Sequence, residues 1–246
     1  MTVGTRQISD KLLAKYRAWD TVSEAEARAL DSVFTRQASY PRGAAIIRAG
    51  EELDGSTLLL SGFANRYKDL SDGRRQSLEL SVPGDFIDLH SFTLKRIDHD
   101  IGALSAVRTA WAPHERIREI TAELPHLTRL LWLNTTVDAA LHRERIMSLG
   151  ARTAAERLAA FVWETRERLR VVGLADETGY DLPLTQADLA ELLGLSMVHM
   201  NRTIRELRER GLAVLRDRMV RIEDWDGLRK FAQFHPGYLH QRTEPR

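Results

Sequence analysis

The sequence contains no cysteine among its 246 residues. Disulfides, thiolate zinc sites, cysteine nucleophiles and cysteine-ligated iron–sulfur clusters are therefore all excluded. No hydrophobic run approaches the roughly 20 residues that a membrane-spanning helix needs. The opening segment, MTVGTRQISDKLL, lacks the charged-then-hydrophobic layout of a signal peptide, so the sequence predicts a cytoplasmic protein with no membrane partner.

The sequence also lacks the motifs of the common enzyme classes. It has no Gly-x-Ser-x-Gly elbow, phosphate-binding loop, dinucleotide-binding fingerprint or His-Glu-x-x-His zinc motif. Asp88, His90, Asp98, His99 and Asp100 do lie close in sequence, and imidazole with carboxylate can bind a divalent metal. Their spacing matches no established ligand pattern, so a metal-dependent enzyme is only an alternative. We expect no enzymatic activity, no metal and no other cofactor.

The composition describes a soluble, folded chain with room for two domains of ordinary size. Hydrophobic residues make up 43% of the sequence, charged residues make up 29%, and the net charge is +1. This charge is unevenly spread, because residues 196–221 contain seven arginines and three acidic residues. Such a basic segment can bind phosphate groups while the remaining surface stays neutral. A solvated helix face would give the same pattern, so charge alone leaves both interpretations open.

The pattern of apolar residues divides the chain into helical and β-rich parts. Residues 8–34 read as one or two short amphipathic helices. Between about residues 40 and 113, β-rich runs such as STLLLSGFANRY and RQSLELSV alternate with glycine-containing turn pairs. Short strands separated in this way are typical of a β roll or barrel. From about residue 114 the pattern is helical again.

A long helix is predicted from Pro125 to Leu149, where neither glycine nor proline occurs after the first residue. Four of its residues are spaced by four, three and four positions, as in a coiled coil: Leu130, Asn134, Val137 and Leu141. These residues predict a dimer seam, although a helix packed on its own domain would show the same spacing. Gly150 is expected to end this helix, and another is expected from about Thr153 to Val172.

The segment 184–212, LTQADLAELLGLSMVHMNRTIRELRERGL, has the layout of a helix-turn-helix. Ala190 provides the small side chain needed where two helices cross closely, and Gly194 provides a turn residue that tolerates positive φ. Ser196 is predicted to cap the second helix, which leaves its N-terminal amides available to a phosphate. This agreement at several positions favours a DNA reader over an interaction domain without DNA contact.

The second helix carries side chains suited to the major groove. Arg202 can bind guanine through two hydrogen bonds, and Asn201 can do the same with adenine or donate to a phosphate. Met197 and Val198 are apolar, and we expect them to pack on the methyl group of thymine. After Gly211, the run LAVLRDRMVRIED predicts a hairpin that turns at residues 216–218, as in a winged helix. The predicted DNA-binding residues are Ser196, Met197, Val198, Asn201, Arg202, Arg205, Arg216 and Arg218.

Together these features resemble the Crp/Fnr superfamily of bacterial transcription regulators. The resemblance covers about residues 40–232 and depends on RAGEELDGSTLLLSGFANRY and PGDF in the roll, and on LPLTQADLAELLGLS with Arg202 in the reader. It implies an α+β fold: an N-terminal β-roll (jelly-roll) sensor domain in residues 1–124, a dimerisation helix in 125–150 and a C-terminal winged helix-turn-helix in 151–246. It also implies a homodimer that binds two-fold symmetric double-stranded DNA and has RNA polymerase as a partner.

The sequence departs from the family where cyclic nucleotides bind. Members that bind them have a Gly-Glu pair after PGDF and an Arg-Ser pair about a dozen residues later. Asp88 and Leu89 replace the first pair here, and Ile97 and Asp98 replace the second. Since carboxylates repel an anion, cyclic AMP is not expected to bind in the usual mode, and the effector is unknown. A regulator that binds a cyclic nucleotide in an altered pocket is the alternative.

Two further departures concern signal and sequence recognition. The absence of cysteine removes the iron–sulfur oxygen sensing of the Fnr branch. In the reader, Val198 replaces a glutamate that many members have near the start of the second helix, so recognition of cytosine by that carboxylate is not expected. Arg202 retains the family's guanine contact.

Overall fold

The computed structural model describes residues 8–245. Two amphipathic helices come first, α1 (Asp10–Trp19) and α2 (Glu24–Ser32). Within this described part of the chain, no helix is both long and apolar enough to cross a membrane.

Seven strands follow and form the β roll. They are β1 (Arg36–Tyr40), β2 (Ala45–Ile47), β3 (Gly55–Ser61), β4 (Ala64–Asp69), β5 (Arg75–Ser81), β6 (Asp100–Ala103) and β7 (Val107–Pro113). One sheet has the order β1-β7-β3 and the other β2-β6-β4-β5, and every paired strand is antiparallel. The sequence predicts this roll, but it does not identify β1, because RQASY is polar and four of its five side chains are exposed.

The roll leads into a helical region. It contains α4 (His114–Glu123), α5 (Pro125–Ala151) and α6 (Ala154–Val171). The short helix α3 (Ser91–Leu94) lies earlier, within the roll between β5 and β6. Gly150 lies inside α5 and does not end it, contrary to the prediction. The helix ends instead at Ala151, with Arg152 as its C-cap. Thr153 is the N-cap of α6 and forms a capping box in which its hydroxyl accepts from the Glu156 amide.

The C-terminal region is a winged helix-turn-helix. Its elements are β8 (Gly179–Asp181), α7 (Gln186–Leu193), α8 (Met197–Glu209), β9 (Ala213–Arg216), β10 (Met219–Ile222) and α9 (Trp225–Ala232). The three strands form one sheet in the order β8-β10-β9. One hydrophobic core joins α5, α6 and this domain to roll residues such as Phe63 and Leu80, so the reader packs directly on the roll of its own chain.

A C-terminal segment after α9 returns to the N-terminal helix. It includes a 3₁₀ turn, Pro236–Leu239. The indole of Trp19 donates to the Leu239 carbonyl at 3.3 Å, and the Glu244 amide donates to the Trp19 carbonyl at 2.9 Å. The Tyr238 hydroxyl donates to Glu164 on α6 at 2.7 Å. The two ends of the described chain are therefore held together, a feature that the sequence pattern did not predict.

The predicted dimer seam is wrong. Leu130, Asn134, Val137 and Leu141 are between 0 and 7% exposed in a single chain. Three of them belong to cores formed with the chain's own roll, N-terminal helices and C-terminal domain. The coiled-coil spacing arose because α5 packs on its own subunit along its whole length, which requires the same periodicity as a helix pair.

The opposite side of α5 is the one left open. We call it the outer stripe, and its exposed residues repeat at intervals of four, three, four and three: Trp132, Thr136, Ala139, Arg143 and Ile146. Trp132 is 73% exposed and Ile146 is 71% exposed, which is unusual for side chains of this size in a folded chain. The outer stripe thus has the same coiled-coil spacing as the predicted seam, shifted by two residues along α5.

Candidate nucleic-acid interface

The turn between α7 and α8 fixes the angle of the two reader helices. Gly194 ends α7 in the left-handed conformation with φ of +62°, as the sequence predicts. Arginines from neighbouring helices bind the last carbonyls of α7: Arg157 donates to Leu193 at 2.6 Å, and Arg145 donates to Leu192 at 3.0 Å. These cations oppose the negative end of the helix dipole and join α7 rigidly to α5 and α6.

Helix α8 has one buried face and one open face. Met200, Thr203 and Leu207 are at most 3% exposed and pack into the domain core. Ser196 caps the helix by accepting a hydrogen bond from the His199 amide at 3.3 Å. The buried face holds the helix in position, so the opposite face is presented to solvent in a defined orientation.

All eight predicted DNA-binding residues are exposed. No described residue forms an ion pair or side-chain hydrogen bond with Arg202 or Arg205, so both guanidinium groups are available to a partner. The Asn201 side-chain amide donates to the Met197 carbonyl at 3.0 Å and would have to turn to reach a base. Met197 also lines a cleft against the β4–β5 turn of the roll, whereas Val198 is 79% exposed.

The wing is the hairpin of β9 and β10. Asp217 and Arg218 form its two-residue turn, with φ of +52° and +62°. Two consecutive left-handed residues match the twist of a two-stranded ribbon, and the turn falls where the sequence predicts it. Arg216 and Arg218 are exposed at the tip, and Arg216 has only an exposed contact with Asp217 at 3.3 Å. The third strand, β8, was not predicted, because GYD is too short to show a strand pattern.

The roll and the reader are in direct contact. Arg42 donates to the Asp188 carboxylate on α7 at 2.6 Å, and Gln76 on β5 donates to the Glu191 carbonyl at 2.9 Å. A cleft of about 530 Å³ lies between the two parts, with Phe63 and Leu169 among its apolar lining and Arg42 and Arg218 among its charged lining. A change in the roll could therefore reach the reader through these contacts.

The four predicted effector-pocket residues do not form a pocket. Asp88, Leu89 and Ile97 are at most 4% exposed, and Leu89 and Ile97 belong to two different hydrophobic cores. Asp98 is on the surface and accepts from the Lys68 ammonium at 2.7 Å. Burial raises the pKa of Asp88 to about 7, although one oxygen accepts from the Thr57 amide. The four positions that replace the family's contact pairs therefore do not surround a common space, because Leu89 and Ile97 pack in separate hydrophobic cores and Asp98 is on the surface.

A buried charge network, which was not predicted from the sequence, lies between the roll and α5. Arg66 on β4 donates to Glu79 at 2.8 Å and to Asp138 on α5 at 3.0 Å, and His142 lies 2.7 Å from Glu79. Burial opposes ionisation of Glu79, but Arg66 and His142 hold its pKa below the usual range. Burial raises the pKa of Asp138 to about 6. Arg66 is the one charged residue in the largely apolar run LLLSGFANRY, and this position is the sequence signal that could have indicated a buried ion pair.

Two histidines of the alternative metal-binding cluster lie close together. The rings of His90 and His99 are 5.3 Å apart, and the Nε2 atom of each is buried without a hydrogen-bond partner. Burial lowers the pKa of His90 to about 3. Among residues 8–245, no three histidine, aspartate or glutamate side chains are grouped closely enough to hold a metal ion.

Two family models match consecutive stretches of the chain. A cyclic nucleotide-binding domain matches residues 37–123, and a Crp-like helix-turn-helix domain matches residues 156–231. These stretches contain the roll with α4, and α6 with most of the reader domain.

The chain is similar to known regulators in sequence. It is 34% identical over 154 residues to the nitrogen fixation regulation protein FixK of Bradyrhizobium diazoefficiens, and the match covers 62% of this chain and 63% of FixK. The chain thus spans less than two thirds of that relative. It is 27% identical over 180 residues to the transcriptional activator protein FnrL of Cereibacter sphaeroides, covering 72% of each protein.

Solved structures share the fold. FixK2 from Bradyrhizobium japonicum superposes with a TM-score of 0.72 at 23% identity, covering 80% of this chain and 96% of that one. A CRP/FNR family transcriptional regulator from Thermus thermophilus superposes with a TM-score of 0.63 at 21% identity, covering 81% and 99%.

Proposed function

Since the chain belongs to the Crp/Fnr family of DNA-binding transcription regulators, we propose that it acts as a homodimer on a two-fold symmetric duplex site. The observation that carries the proposal is the exposed face of α8, on which Arg202 and Arg205 have no partner within the described chain. A helix buried along its other side can place such a face in the major groove without rearranging.

Three groups of side chains would share the contact with DNA. Arg202, one turn into α8, would form the bidentate contact with guanine. Arg205, Arg216 and Arg218 would bind phosphates on either side of the groove, where they fix position without reading sequence. The amides capped by Ser196 would hold one further phosphate at the start of the helix.

The outer stripe of α5 is the surface proposed for the second subunit. Its coiled-coil spacing fits a two-fold axis along the helix, where each subunit offers the same patch. Small residues at Thr136 and Ala139 would let the helices approach closely, and Trp132 and Ile146 would lose their exposed apolar area. Two readers related by this axis could enter major grooves about one duplex turn apart.

Cyclic AMP in the family's usual binding mode is not part of the proposal. The positions where the family's contact pairs would stand are held by buried Asp88, Leu89 and Ile97 and by surface Asp98, which is already paired. The alternative, an altered mode, has the 530 Å³ cleft between roll and reader as its available space. Calorimetry with cyclic AMP and cyclic GMP separates the two, because micromolar binding of either nucleotide would favour the alternative.

Other parts of the proposal follow from DNA binding. A regulator bound to the chromosome would be cytoplasmic and would meet RNA polymerase at its promoters, as the family resemblance implies. No enzymatic step and no cofactor are included in the proposal.

Arg202→Ala tests the reader directly. If Arg202 binds a base, its loss should weaken specific binding by about 1–3 kcal/mol and relax preference at one position per half-site. Binding by fluorescence anisotropy to a selected site and to its single-base variants measures both effects. Arg229→Ala, an exposed arginine of α9 outside the reader helix and the wing, is the control and should change neither. A uniform loss on every sequence would show that Arg202 contacts only phosphate.

A further inference from the structure

We propose that Val198 makes the reader sensitive to the C5-methyl group of a pyrimidine, so that 5-methylcytosine can take the place of thymine in each half-site. The inference rests on the proposed function, because it requires α8 to enter the major groove. It specifies the class of ligand further: duplex DNA in which methylation of one cytosine per half-site changes the affinity of the protein for that DNA.

The first observation is the exposure of Val198. It is 79% exposed on the first turn of α8, among exposed residues that are otherwise polar or charged except for Met197. A branched apolar side chain gains nothing from this position in the free protein, since burial is what stabilises it. Met197 is less available, because it also lines the cleft against the roll.

The second observation is the position of Val198 relative to Arg202. The two residues are four apart on α8, so their side chains lie on the same face about one helical turn, or 5.4 Å, from each other. Base pairs are about 3.4 Å apart along B-DNA. The group contacted by Val198 should therefore lie one or two base pairs from the guanine contacted by Arg202.

The chemistry of the groove identifies that group. Thymine offers an O4 acceptor and a C5-methyl group, whereas cytosine offers an N4 amino donor and no methyl. Valine has no hydrogen-bonding atom in its side chain, so it can distinguish these bases only through the methyl group. 5-Methylcytosine has the same methyl at the same position, and Val198 carries no carboxylate that would bind the amino group.

The size of the effect follows from one buried methyl-sized group. Such a contact changes affinity by about fourfold in each half-site. Over the two half-sites of a symmetric operator the change should reach about fifteenfold. χ1 of valine is stiff, so little side-chain freedom is lost when the contact forms.

The experiment uses the full chain and a duplex selected from a random pool. Each thymine in the half-site is replaced in turn by deoxyuridine, which removes only the methyl. At the position that responds, the base pair is then changed to cytosine and to 5-methylcytosine, which differ only by that methyl. Fluorescence anisotropy at fixed salt should show thymine binding about fourfold more tightly than deoxyuridine per half-site, and 5-methylcytosine more tightly than cytosine by the same ratio.

Two variants assign the effect to the side chain. Val198→Ala should reduce both ratios towards one, and Val198→Glu should reverse the second, because a carboxylate accepts from the cytosine amino group and is crowded by a methyl. Because Val198 is exposed, both variants should fold, and circular dichroism verifies this. Leu94→Ala removes an exposed apolar side chain from α3 in the roll, outside the reader, and serves as the control that should leave both ratios unchanged.

The inference is overturned if no thymine within two base pairs of the Arg202 guanine responds to removal of its methyl, or if Val198→Ala retains both ratios. Specific binding that depends on Arg202 but ignores the methyl would reject this inference and leave the proposed function standing. Absence of any sequence-specific duplex binding would reject both.

Discussion

Ile146→Ala is the substitution that best separates the outer stripe from the wrongly predicted seam. Ile146 is 71% exposed in one chain, and the proposed homodimer buries it against its symmetry mate. Full burial of an isoleucine side chain is worth about 1.5–3 kcal/mol, so the exposed fraction corresponds to about 1–2 kcal/mol in each subunit. Since a two-fold dimer contains the residue twice, the loss should be about 2–4 kcal/mol.

This energy corresponds to a dimer dissociation constant raised by roughly 30- to 1,000-fold. Sedimentation equilibrium over a range of protein concentrations measures the constant directly. The free energy of unfolding of the separated chain should change little, because Ile146 has few contacts to lose within its own subunit.

Leu130→Ala is the matched control from the predicted seam. Leu130 is fully buried in the chain's own core, so its truncation should cost about 2–5 kcal/mol of unfolding free energy. The dimer dissociation constant of the folded variant should stay close to that of the parent. The reverse pattern, in which Leu130→Ala dissociates the dimer and Ile146→Ala does not, would refute the assignment of the outer stripe.

Two further predictions concern buried charges. Burial raises the pKa of Asp88 to about 7, against an ordinary value near 3.9. The resulting stabilisation of the folded protein is fully present below about pH 4 and is lost as the pH rises through 7. Between pH 4 and pH 8 the free energy of unfolding should therefore fall by up to about 4 kcal/mol more in the parent than in Asp88→Asn, as measured by urea titrations. Equal changes with pH in the two proteins would contradict this. Arg66→Met leaves Glu79 and Asp138 buried without their cation and should cost about 3–5 kcal/mol at pH 7, whereas a loss below 1 kcal/mol would show that solvent reaches them.

The parts of the fold with strong local signals could be predicted from the sequence. Glycine-punctuated strands predicted the roll, and the left-handed Gly194 with small Ala190 predicted the helix-turn-helix. The strands missed were β1 and β8, which are short, polar or both. Their pairing is determined by neighbouring strands distant in sequence, so no local pattern could reveal them.

The face of α5 shows a second limit. Both sides of this helix have apolar residues at coiled-coil spacing, and the sequence does not say which side packs within the chain and which is exposed. The more hydrophobic side was predicted to bind a second copy, but it packs on the roll and the reader. The more hydrophobic side is buried within the subunit, because α5 contacts its own chain along its whole length.

The candidate DNA-binding site was more accessible to sequence reasoning than the effector site. Exposure of Arg202, Arg205 and Val198 follows from helical periodicity around a buried Met200 and Leu207. The arrangement around Asp88 depends on which strands approach one another, and the spacing of residues in the sequence does not predict that pairing. The buried network of Arg66 was missed for the same reason.

Selection of bound sequences from a random duplex pool, with the whole 246-residue chain, shows whether two copies of α8 bind one symmetric duplex site. We expect enrichment of a two-fold symmetric sequence whose half-sites are centred about 10 base pairs apart, each with one guanine whose preference disappears in Arg202→Ala. Enrichment of no sequence, or of an asymmetric site unaffected by that substitution, would contradict it.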